Sequence, residues 1–249
     1  MTIPYGSLLV ALIMAAAFPV GRWLDRHGAE HVVWARRRFE SAAAGISVAY
    51  VFVDLLPELG AQHEHFVRAM GAEGLYFAEQ RVYVLALISF VVLYGLEHIV
   101  LAAREKTKDA TGERSSRALY YLQLFGYLGY AFLIGYLVVE RAERGAAALA
   151  VYGFAMAVHF LIVDHSLEDE HGALYGRAGR WFLSAGPIAG WLIGTLAPVS
   201  EVTLARLFAI LAGGVVITSL RAELPNERNG RFWPFVLGAL IFAAVLLLT

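Results

Sequence analysis

Apolar residues in this chain neither alternate nor keep to one helical stripe; they come in long runs separated by short charged stretches. Eight such runs cover roughly residues 3–20, 42–60, 82–102, 118–139, 145–164, 181–197, 203–222 and 232–248. About 20 consecutive apolar residues is the length an α-helix needs to cross the hydrocarbon core of a bilayer. There each backbone N–H and C=O must be satisfied inside the protein, which a helix achieves within its own segment. The pattern predicts an all-α integral membrane protein of eight transmembrane helices, with residues 1–249 forming a single transmembrane domain. The first run has no Lys or Arg ahead of its apolar core, so it is read as helix 1 and not as a cleaved signal peptide.

Composition agrees. Hydrophobic residues make up 59% of the chain and charged residues 16%, against about a quarter charged in soluble domains. There is no cysteine, which removes disulfides and thiolate metal ligands from consideration. Of the 20 Lys and Arg, 15 fall in the connections 1–2, 3–4, 5–6 and 7–8. Cations collect on the cytoplasmic side, so the expected location is the plasma (inner) membrane with both termini outside the cytoplasm. Trp23, Trp181 and Trp233 sit at run ends, where interfacial anchors belong.

One motif occurs twice. Ala44-Gly45 is followed by Leu56-Pro57, and Ala212-Gly213 by Leu224-Pro225, with the same twelve-residue step from Gly to Pro. Helix 2 runs outward and helix 7 inward, so the copies are inverted across the bilayer. Transporters built from inverted halves place their working site between the halves, often beside helices broken by Gly or Pro. The expected architecture is an inverted repeat of helices 1–3 and 6–8 around helices 4–5.

Ionisable side chains inside hydrocarbon cost at least about 2.5 kcal/mol each and face a cavity or a partner. On helix 2, Asp54 and Glu58 are four apart, hence on one face, with Pro57 between them; both stand close to the outer surface, where they can also simply end the span. On helix 3, Glu97 and His98 read first as an interhelical hydrogen-bond pair and second as ligands. Helix 5 carries His159 and Asp164, then His165, Glu168, Asp169, Glu170 and His171. His159 is either a buried, hydrogen-bonded histidine or a metal ligand. Asp164 lies about 140° around the helix from it, so the two cannot share an ion without other helices. The stretch 165–171 is a solvated connection or a collecting site at a cytoplasmic mouth. On helix 7, Glu223 pairs with Arg221 at the inner surface.

The helix 2 stretch from Ser41 to Glu58, ending Asp54-Leu-Leu-Pro-Glu58, resembles the second helix of the ZIP family of zinc and iron transporters, which commonly ends His-Leu-Leu-Pro-Glu. Phe90 to Val100, with Glu97-His98, resembles its third helix. Gly186-Pro187 with Gly190, the run from Ala212-Gly213-Gly214 to Glu223-Leu224-Pro225, and Gly238 resemble its helices 6 to 8. The resemblance covers nearly the whole chain and implies a transporter of divalent metal ions such as zinc. The ion would be the substrate; no cofactor is required. The chain departs from the family where its chemistry resides. Between Ala118 and Val139 there is no His, Asp, Glu or Asn, and Gly126, Tyr127 and Tyr130 stand at the helix 4 ligand positions. On helix 5 His159 matches the first ligand, but Phe160, Ile162 and Val163 replace the residues that follow.

The candidate metal-contacting set is therefore His159, Asp164, Glu97, His98, Asp54 and Glu58. A metal transporter with relocated ligands is the leading expectation. Beside it stand a non-transporting ZIP-like regulator or scaffold and a transporter of a different solute. An intramembrane metal hydrolase ranks last, because it needs three protein ligands and an open water position; the chain is not expected to be an enzyme. Expected partners are the lipid bilayer and a divalent ion, with a homodimer as a further option and no nucleic acid.

Overall fold

The computed structural model describes residues 5–27, 31–61, 75–107, 113–172, 174–223 and 232–248. Among the side chains discussed above, those of Trp23, Glu97, Arg221 and Glu223 lie outside the described ones, as do Leu224 and Pro225 altogether. The described residues form eight helices and no strand. They are α1 Tyr5–His27, α2 His31–Tyr50 continued through residue 61, α3 Leu75–Thr107, α4 Glu113–Glu143, α5 Ala146–His171, α6 Gly176–Leu196, α7 Glu201–Glu223 and α8 Phe232–Leu248. Each contains one of the eight apolar runs or most of it. Four stretches, Arg38–Ala61, Arg117–Glu143, Ala146–His171 and Glu201–Ser219, are long and apolar enough to cross a membrane.

Local chemistry sets the breaks. Between α4 and α5 only Arg144 and Gly145 intervene, and Gly145 takes φ 112°, a conformation that side-chain-bearing residues avoid. In α2 a π-helical turn spans Val51–Leu55, and Leu56 N–H reaches back to Val51 O. A proline ring clashes with the carbonyl four residues earlier. For Pro57 that is Val53, inside the widened turn.

The helices pack as two groups. The most extensive contacts pair α4 with α6 and α1 with α5 and α6 on one side, and α2 with α8 and α3 with α7 on the other. Glycine permits the closest approaches. A Cβ at Gly45 would collide with Phe235 O and lie 2.9 Å from Ala239 N on α8; one at Gly213 would collide with Ala86 O and lie 2.9 Å from Phe90 N on α3. Beside these contacts, a Cβ at Gly238 would strike Ala42 O, and Ser89 Oγ donates to Ile210 O at 2.8 Å. Between the groups runs a seam formed by α2 and α7 against α4 and α5. One hydrophobic cluster fills it from both sides, including Tyr50 and Leu55 of α2, Phe208 of α7, Ile134 of α4 and Phe160 of α5.

Candidate functional site

Buried charged and histidine side chains fall at the two ends and near the middle of the seam. At the end where α4 turns into α5, Arg141 is 2% exposed and its Nη2 lies 3.0 Å from Asp54 Oδ2. Its guanidinium stacks over Phe208, 4.9 Å from the ring centroid, and faces Tyr152 at 5.7 Å. One turn on, Arg144 grips both carboxylate oxygens of Glu58 and bonds Glu140 through Nε at 2.6 Å. Burial works against the Arg144 charge, but the Glu58 bonds outweigh it and raise its pKa. A cation near a helix C-terminus is also favoured by the helix dipole. The π-helical turn carries Asp54, and the last turn of α2 carries Glu58, so both acids of α2 reach across the seam to α4.

Near the middle sits His159, fully buried. Its Nε2 lies 3.4 Å from Thr218 Oγ1, while the Thr218 hydroxyl donates to Gly214 O at 2.8 Å. With its proton committed there, the hydroxyl is left to accept from imidazole Nε2–H. In a neutral imidazole that leaves Nδ1 as the acceptor nitrogen, and Nδ1 has no hydrogen-bond partner among the described residues. Tyr130 meets the ring edge-on at 5.9 Å and donates its hydroxyl to Leu211 O at 3.2 Å. Phe160 lies at 6.2 Å.

The opposite end is held differently. Asp164 is fully buried; its Oδ1 accepts from Tyr175 OH at 2.5 Å and Arg180 Nε at 2.8 Å. Arg180 Nη2 also bonds Glu168. Burial, reinforced by Asp164, holds the Tyr175 phenol well above its usual pKa. Gly21 of α1 makes room, since a Cβ there would come within 2.7 Å of Asp164 Oδ2. Gln123 donates to Glu170 at 2.7 Å, its Oε1 meets His171 Nε2 at 2.6 Å, and His165 Nδ1 lies 3.5 Å from Glu40 of α2.

The six candidates thus fall apart into separate environments. Asp54 and Glu58 share one end with arginines; Asp164 occupies the other, with Arg180 and Tyr175; His159 lies between, next to Thr218. His98 is exposed on α3 and stacks on Tyr94 at 6.1 Å. Glu97 lies on the same helix. Among the described residues no group of three or more His, Asp or Glu is arranged to hold a metal ion. Sequence reasoning overlooked Arg141, Arg144 and Arg180 as partners, counting them only toward orientation. The signal existed for two of them: Arg141 and Arg144, three apart, follow the fourth apolar run at the end where the second, with Asp54 and Glu58 four apart, is expected to finish. Thr218 gave no comparable sign.

Comparison of the chain with known protein families, with curated proteins and with solved structures gives no match.

Proposed function

We propose that this chain is an eight-span membrane transporter on a ZIP-like inverted-repeat scaffold, exposing the seam between its two helix groups alternately to either side of the membrane. The observation that carries this reading is the matched pair of backbone contacts. One step along the chain, 168 residues, takes Gly45 to Gly213 and Ala42 to Ile210. A second step, 149 residues, takes Ala86 to Phe235, Ser89 to Gly238 and Phe90 to Ala239. Contact for contact, α2 meets α8 as α7 meets α3, which supports two related halves with a site between them.

With both termini outside, the Asp54–Arg141 and Glu58–Arg144 pairs close the outer end. Opening that end separates α2 from α4, so both pairs must part. The resemblance names a divalent cation such as zinc as the substrate. Such an ion exchanges its water for oxygen or nitrogen ligands along its path, and Asp54, Glu58 and Asp164 would have to leave their arginines to supply them. Those ion pairs favour a second reading, in which the solute is not a bare cation and offers a hydrogen-bond donor to His159 Nδ1.

Uptake of radiolabelled zinc and manganese into proteoliposomes separates the two. Flux above a His159→Ala control establishes the cation reading; background flux with wild type removes it. Alternating exposure is tested without knowing the solute, because the chain has no native cysteine. Ser47→Cys, in the buried stretch of α2, is expected to react with impermeant thiol reagents from outside in one state and from inside in another. A thiol that reacts from neither side under any condition overturns transport itself.

A further inference from the structure

An apolar crevice of about 740 Å³ opens between α2, α5 and α8, at the boundary between the helix groups. Phe39 and Ile46 of α2, Phe154 of α5, and Leu237, Ile241 and Val245 of α8 form its walls. Its floor is where Gly238 meets Ala42, and the Phe154 and Phe242 rings meet across it at 5.7 Å. Along α8 it runs from Pro234 to Val245, about 16 Å at 1.5 Å per residue.

The crevice has one charged residue, and it stands at an end. Arg38 lines the mouth beside Pro234. Trp233, 70% exposed and packed against Phe232 at 5.4 Å, marks the same level. Tryptophan at that exposure belongs at the headgroup boundary of a bilayer. Among the residues lining the crevice, Arg38 alone is charged, and none along the walls is. Arg38 has a contact of its own inside the fold, but a guanidinium carries five donors and can serve a phosphate as well.

A slot with a cationic mouth at the interface and an apolar interior about 16 Å long matches a molecule with a phosphate at one end and a hydrocarbon tail at the other. We propose that this crevice is a specific site for an anionic phospholipid, with one acyl chain between α2, α5 and α8 and the headgroup phosphate on Arg38. The proposal rests only on membrane placement and is independent of transport. Because the lipid would wedge against α2 and α8 on one side and α5 on the other, it would bridge the two helix groups.

Native mass spectrometry of the full-length protein, with dioleoyl phosphatidylglycerol and dioleoyl phosphatidylcholine added in turn, tests it. Wild type is expected to retain the anionic lipid in a one-to-one complex and the zwitterionic lipid at least fivefold less. Arg38→Ala should lose about fivefold in anionic-lipid retention, the factor equivalent to one basic residue near a membrane surface, while Arg38→Lys keeps most of it. Ile241→Trp, which fills the slot, should reduce retention of both lipids with Arg38 intact. Equal retention of the two lipids by wild type overturns the proposal. So does a dimer that Ile241→Trp splits into monomers, which would make the crevice a contact between copies of the chain.

Discussion

The two ends of the seam use the same side chains in opposite ways. At the α4–α5 turn, Asp54 and Glu58 belong to one helix group and Arg141 and Arg144 to the other, so their bonds span the boundary. At the other end, Asp164, Glu168 and Arg180 all belong to α5 and α6, within one group. There His165 reaches across, at 3.5 Å to Glu40. Exposure differs as well: the Asp54 side chain is 28% exposed and that of Asp164 is fully buried. Charges shielded inside one rigid group hold that group together, whereas charges shared between groups can be made and broken as the groups move.

The comparison predicts unequal consequences for matched substitutions. Asp164→Ala leaves Arg180 short of its main partner in a buried setting and should cost about 3–5 kcal/mol, the usual penalty for stranding a buried charge. Asp54→Ala should cost about 2 kcal/mol, because water reaches its position and lowers the desolvation cost. Thermal unfolding in detergent measures both; equal losses would erase the distinction between the ends.

Gly45 and Gly213 show how alike two positions can be. A methyl group at either meets a carbonyl oxygen of the neighbouring helix backbone, and overpacking of this kind costs about 1–3 kcal/mol. Gly45→Ala and Gly213→Ala should lower stability by the same amount in that assay. A large inequality would break the correspondence between the halves.

The smallest energetic effect has the most direct link to motion. Asp54→Asn combined with Glu58→Gln loosens the boundary-spanning pairs while preserving shape. It should speed thiol labelling of Ser47→Cys severalfold from the outer side, with little change in unfolding. Glu168→Gln, inside one group, should leave that rate unchanged. If both variants label at the same rate, the α4–α5 end is not a closing contact.

Much of the helical scaffold was legible in the hydropathy of the chain, because lipid and a packed interior select the same residues. The ends were less so: α3 begins at Leu75 and α5 continues to His171, beyond the runs 82–102 and 145–164. Hydropathy marks where water would be excluded, and a hydrogen-bonded helix does not stop there. Of the site, burial of His159 was readable from its position deep in an apolar run. Its neighbour Thr218 and the three arginines were not assigned, since pairing across helices depends on rotation and tilt that a linear pattern does not carry.

The widened turn at Val51–Leu55 has a consequence for anyone reading faces along α2. One residue more than α-helical geometry allows is accommodated there, so everything after it is rotated by about 100° from where a regular helix would put it. Gly45 can thus lean on α8 while Glu58 addresses Arg144, as though two helices of different phase had been spliced. A regular helix through the same residues would swing Glu58 off its partner, whereas deleting one residue from the turn would leave Glu58 facing it.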